Sequence, residues 1–224
     1  MDRNEDGNGG GEKHIAALPL FPLPGTVFFP HTLLPLHVFE PRYRRMTEDV
    51  LAGDGLMAVV LQREEKDPGH LGDLHRVAGL GRVVHHERLP DGRFHILLQG
   101  IARVALLEEL PREGLLYRRA RAKVMPTKTT DGPRVTQEYE TLRACYAQVM
   151  DRCPLARERL GELMRRVTDP GVLADVICAS EIDDPCTRQG ALEESDLALR
   201  LQRANEALAA LLLGNLTPED SLAH

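Results

Sequence analysis

The chain has 224 residues, a formal net charge of -6, 42% hydrophobic and 28% charged residues, and no tryptophan. That length supports a sizeable core in one domain or two packed subdomains without disulfide staples, and the acidic balance argues against an extended nucleic-acid footprint, which needs a clustered basic surface. Aromatic residues reach only 4%, so the core is expected to be mainly Leu, Val, Ile and Ala.

Residues 1–13 are rich in Gly, Asn and acidic groups, with little apolar surface to offset the entropy of ordering them, and are read as a disordered tail. They lack the charged-then-apolar pattern of a signal peptide, and no apolar run approaches the ~20 residues needed to cross a bilayer. Cys145, Cys153, Cys178 and Cys186 all fall in the second half. A chain of this size needs no disulfides, so a reducing cytoplasm is the expected location.

From Ile15 to about Met125 the apolar residues come in short runs punctuated by Gly, Pro and Asp, the one-dimensional form of a strand-rich region. Strands are predicted at Ile15–Leu20, Leu33–Val38, Leu56–Gln62, Val77–Arg88, Arg93–Gln99, Ile101–Glu109 and Arg118–Val124. The run Leu89-Pro90-Asp91-Gly92 is a hairpin signal, because Gly accepts the positive φ that such turns need. One helix should interrupt this half, starting at Pro41, running through Leu51 and stopping at Gly53.

The stretch from Lys128 to Pro133 is polar and turn-prone, and there the strand period gives way to a helical one. It marks the predicted boundary between a β-rich subdomain, residues 14–126, and a helical subdomain, residues 127–224. Val135, Tyr139, Leu142, Tyr146 and Val149 form one stripe of a helix from about Pro133 to Asp151. A shorter helix should follow Pro154 and stop near Thr168, and another should follow Pro170, since Pro favours helix starts. Leu197, Leu201, Ala204, Leu208 and Leu211 form a last stripe, with Ser195 placed to cap its start and Gly214 its end.

Motifs for catalysis are missing. No GxxxxGK string is present to cradle phosphates, and none of the serines stands in a GxSxG elbow. Cys145 with Cys153, and Cys178 with Cys186, are spaced too widely for an ordinary zinc site. His85, His86 and Glu87 are adjacent, but alternate strand positions point to opposite faces, so they do not converge on one ion, and His31 and His37 have no ligand-like neighbours. No cofactor is expected. Arg119, Arg121 and Lys123 share one strand face, read as a charged row that guards an exposed edge in preference to a phosphate-binding patch.

The most unusual segment is LPLFPLPGTVFFPHTLLPLHVFEPRY, Leu18 to Tyr43. Its repeated prolines allow only short extended pieces and turns. Phe21, Phe28, Phe29 and Phe39 lie within it and are expected to serve mostly as core anchors. Glu40, Arg42 and Tyr43 beside them either pair with one another or face a ligand.

This opening resembles the signature of the amino-terminal domain of Lon proteases. Further matching stretches follow in order: LMAVVLQRE at Leu56, VAGLGRVVHHERLPDGRFHILLQGIARV at Val77, YRRARAKV at Tyr117, and LADVICASEIDDPCTRQGALEESDLALRL at Leu173. One departure is Glu181-Ile182, standing where the family has Leu-Pro. The resemblance implies an α+β fold, with a PUA-like β-barrel subdomain followed by an α-helical one. It also implies a module that recognises unfolded or extended polypeptide, without enzymatic activity of its own and without the ATPase and peptidase domains of Lon. Such a module could act as an adaptor in protein quality control, with a protease or chaperone as partner. The barrel is expected to offer an apolar cleft and open strand edges to a peptide, with Phe28, Phe29, Phe39, Glu40, Arg42 and Tyr43 as the rim. The alternative is an RNA-binding or small-molecule-binding PUA-like module, which would depend on Arg119, Arg121 and Lys123 in the RNA case.

Overall fold

A computed structural model of the chain describes residues 13–63, 72–152 and 166–214. The strands are β1 (His14–Leu23), β2 (Leu33–Val38), β3 (Leu56–Leu61), β4 (Val77–Arg88), β5 (Phe94–Glu109) and β6 (Arg118–Met125). The helices are α1 (Pro41–Ala52), α2 (Gly132–Arg152), α3 (Pro170–Glu181), α4 (Pro185–Glu193) and α5 (Leu197–Gly214). The fold is α+β, with its strands first and most of its helices last. The predicted tail and the predicted helix after Pro154 lie, wholly or nearly so, outside the described residues.

β1 pairs in parallel with β3 and antiparallel with β6, and the chain of neighbours β3–β4–β5–β6 returns to β1. Five strands therefore close a barrel, and β2 is added outside it along the first part of β5. Closure corrects one expectation. β6 is bonded to β1 on one side and β5 on the other, so its charged row guards no edge. Small side chains make the closure fit: Ala58, Ala78, Ala120 and Ala122 share the barrel interior with Leu18, Leu20, Val60, Leu80, Val104 and Leu106. The opposite face of β3, Met57 and Val59, meets Phe94, Ile96 and Leu98 of β5 and Met46 and Val50 of α1 in a second cluster.

β5 runs unbroken through Gly100, where two strands had been predicted. The glycine is needed for another reason: a Cβ there would lie 2.0 Å from the Phe29 carbonyl oxygen. Gly79 stands in the same relation to Phe28, so the segment before β2 crosses the sheet with its backbone pressed against glycines. The hairpin at Leu89–Gly92 forms as expected, with Gly92 at φ 79°.

Helix ends follow local chemistry. α1 begins on Pro41 and its terminal Gly53 N–H returns to Val50 O. α3 and α4 each begin Asp-Pro, and Asp169 and Asp184 accept from the N–H groups of Val172 and Thr187. α4 was not predicted. At α5 the capping residue is Asp196, whose Oδ1 accepts from Ala198 N and Leu199 N, so Ser195 is one place too early. At Glu181-Ile182 the chain leaves α3 extended, and Ile182 O accepts from the Arg188 guanidinium.

The helices pack through Leu142, Tyr146, Leu173, Ile177, Leu201 and Leu208, and this cluster extends into the barrel half through Val27, Phe29 and Leu61. Buried charge ties the two parts. Arg103 of β5 donates to both carboxylate oxygens of Asp175 at 2.8 and 2.5 Å and to Leu192 O at 2.8 Å. Arg200 adds a bond of 2.9 Å to Asp175 Oδ1 and one of 3.0 Å to Thr127 Oγ1. Gln189 Nε2 donates to Val77 O at 2.9 Å.

Candidate binding site

The sequence of β2, LLPLHV, alternates between two environments. Leu33, Pro35 and His37 are exposed, Leu34 and Leu36 are half-buried, and Val38 is buried. Just beyond its end, Phe39 is 61% exposed, and Leu33 at its start is 60% exposed, large values for side chains of this size. Beside them, β2, β5 and the far end of β4 form an open cleft of about 500 Å³, lined by Pro35, Leu36, His37, His85, His95, Ile96 and Leu97. Its surface is almost entirely apolar apart from the imidazoles.

Register explains the histidines. His37 is opposite His95, which is opposite Glu87, so the three share one row across the sheet face. The His37 and His95 rings are 4.9 Å apart edge to face, His37 meets Phe39 in the same way at 6.0 Å, and His95 Nδ1 is 3.6 Å from Glu87 Oε2. A register shift falls between Val83 and His85, and Val84 within it is exposed.

The six predicted rim residues do not form one surface. Phe28 and Phe29 are 2% and 1% exposed, because the close glycine contacts pull their backbone onto the sheet, and they are core residues. Tyr43 is 7% exposed and stacks on Phe21 at 4.2 Å, and burial raises its phenol above the ordinary range. Glu40 and Arg42 pair with each other at 2.7 Å, and the Arg42 guanidinium lies 4.6 Å from the Tyr43 ring centroid. Of the six, Phe39 is the exposed aromatic, and its ring meets His37 of the cleft lining. Sequence reasoning passed over Leu33, Pro35, His95 and Leu97 and weighed His37 and His85 only as metal ligands; the alternation of Leu33, Pro35 and His37 in a strand at an edge was the available signal.

The other candidates fare as follows. Arg118 is bound to Glu109 and Asp73, Arg119 to Glu113 and Arg121 to Glu108, so the arginines of β6 are each matched by carboxylates. Among the described residues, no group of three or more His, Cys, Asp or Glu side chains is arranged to hold a metal ion. Cys178 is a buried thiol pushed up to about 12 by burial and then by Asp175, whereas Cys186 is exposed. Cys153 lies outside the described residues. No helix among the described residues is long and apolar enough to cross a membrane.

A closed barrel with an appended edge strand, backed by a helical layer, is the architecture of the chain, and the family model of the ATP-dependent protease La (LON) substrate-binding domain matches residues 17–210 of it. The chain belongs to that family. It is 32% identical over 198 residues to Lon protease 2 of Myxococcus xanthus, covering 85% of this chain and 23% of the relative. It is likewise 32% identical over 196 residues to the Lon protease of Anaeromyxobacter dehalogenans, with 86% and 23% covered. The chain thus spans about a quarter of the length of these relatives. Among solved structures, the N-terminal domain of the Mycobacterium avium complex Lon protease superimposes with a TM-score of 0.67 at 18% identity, covering 86% of this chain and 98% of that one. The Lon N-terminal domain protein from Xanthomonas campestris gives 0.58 at 18% identity, covering 84% and 96%.

Proposed function

We propose that this chain captures unfolded or extended polypeptide through the cleft beside β2, performs no chemistry on it, and serves in the cytoplasm as an adaptor that presents it to a protease or chaperone. In this reading residues 14–126 do the binding and residues 127–224 support them. The observation that carries it is the open apolar cleft flanked by exposed Leu33 and Phe39. Apolar patches of this kind on a soluble scaffold mark interaction sites, and a cleft along an edge strand suits an extended chain better than a compact one. The family's description as a substrate-binding domain points the same way.

The test is capture of a reduced, unfolded protein by the immobilised chain, with Phe39→Asp and Arg42→Ala compared with wild type. Phe39→Asp should lower capture about tenfold, the scale of losing one buried aromatic contact, while Arg42→Ala, which breaks the exposed pair with Glu40 and the contact with the Tyr43 ring but removes no residue that lines the cleft, should have little effect. The captured protein should be recovered uncleaved. Equal capture by Phe39→Asp would remove the cleft from the account, and cleavage that a single substitution abolishes would make the chain an enzyme.

A further inference from the structure

β2 is bonded on one side only. Its residues Leu33–Val38 are all registered with β5, and among the described residues no strand lies on its other side. Two marks show which backbone groups face the open side. Gly100 N–H donates to Thr32 O at 2.9 Å, so the Thr32 carbonyl faces β5, and antiparallel alternation then turns Leu33, Pro35 and His37 outward. Pro35, which has no N–H to give, fits such an outward place. Leu33 and His37 therefore present an N–H and a C=O each, and Pro35 a C=O, along about 13 Å of open edge.

Both faces of this edge are largely apolar, with the His37 imidazole the polar member of the outer one. Leu33, Pro35 and Phe39 line the outer face, and the half-buried Leu34 and Leu36 line the inner one beside the α1 cluster. A strand laid against β2 would place its residues opposite Leu33, Pro35 and His37 on the outer face and those between on the inner face. It would need apolar side chains at consecutive positions. Folded proteins keep such strands covered on both sides, so they come within reach only when a chain has lost its fold.

We infer that the free edge of β2 takes up, as an added strand, an extended polypeptide segment with apolar residues at consecutive positions, its register pinned by Leu33 and His37. This rests on the reading that the β2 face binds polypeptide, and it names the mode and the class of segment. A second copy of this chain fits less well, since β2 paired with itself about Pro35 would set two prolines opposite each other and forgo both central bonds.

The probe is a fluorescein-labelled nonapeptide, Val-Ile-Val-Leu-Val between pairs of lysines, followed by fluorescence anisotropy in enough salt to screen its charge. It is compared with two versions N-methylated at alternate residues of its core, one in each phase. One phase removes the N–H groups that face β2 and should weaken binding about tenfold or more, and the other should leave it within about twofold. On the protein side, Leu33→Pro deletes an N–H that β5 does not use and should cost about tenfold, against two- to threefold for Leu33→Ala, which keeps it. Equal effects of the two phases, or Leu33→Pro binding as Leu33→Ala does, would overturn strand addition. So would a dimer in sedimentation that Leu33→Pro dissolves, because the edge would then belong to a second copy. Capture of an unfolded protein without any affinity for the nonapeptide would sink this inference and leave polypeptide capture standing; the absence of both would sink both.

Discussion

The barrel and the helical part are held together by different means. The barrel closes on itself through backbone bonds, with each of its five strands paired on both sides and small alanines setting its bore. The helices depend on contacts far apart in the chain: an apolar cluster reaching Val27, Phe29 and Leu61, and two guanidiniums sharing the buried carboxylate of Asp175. Arg200 Nε is buried without an acceptor among the described residues. A self-closed part can carry an unpaired, exposed edge without losing its shape, whereas a part docked through a shared apolar cluster and a buried charge cluster is suited to backing it.

The sharpest way to break this contrast is Asp175→Ala. It leaves two buried arginines uncompensated and should cost about 3–5 kcal/mol in urea unfolding, whereas replacing Arg103, Asp175 and Arg200 together with apolar residues of similar size should cost far less. In the barrel, Gly100→Ala drives a Cβ toward the Phe29 carbonyl and should cost about 1–3 kcal/mol. Gly132→Ala, with nothing within 4 Å, should be neutral by the same measurement. Asp169→Ala removes the cap of α3 and should cost about 1 kcal/mol.

Smaller effects come from titration and thiol chemistry. Hydrogen bonds from Thr187 hold the Asp184 carboxyl below the usual range, and a hydrogen bond from Thr130 does the same for Asp196. Their contribution is present above the ordinary carboxylate pKa of about 4 and is lost as the pH falls through the lowered values. Asp184→Asn with Asp196→Asn should therefore flatten the loss of stability on the acid side, seen as urea midpoints between about pH 5 and 2. Iodoacetamide applied to the folded chain at neutral pH should modify Cys186 and spare Cys178, as read by peptide mass.

Local signals carried much of this architecture. β2 and β4 match their predicted bounds, and α1 starts at Pro41 and is closed by Gly53. The failures have physical causes. Gly100 reads as a break because a glycine in a strand signals one, yet here it makes room for a crossing backbone. α4 was overlooked although Asp184-Pro185 repeats the Asp169-Pro170 start of α3. Closure of the barrel through β5 and β6 is set by long-range register, which no short window contains. The same holds for Arg103 with Asp175, and for the row that brings His37, His95 and Glu87 together. Phe28, Phe29 and Tyr43 look like a rim in one dimension because large aromatics serve cores and interfaces alike.

Hydrogen–deuterium exchange of the whole chain, with and without a reduced unfolded protein, tests most directly whether capture occurs at β2. Slowed exchange at Leu33 and His37, with the amides of α2, α3 and α5 unchanged, is the expected outcome. Protection confined to those helices, or none at β2 under conditions where the unfolded protein is bound, would contradict it.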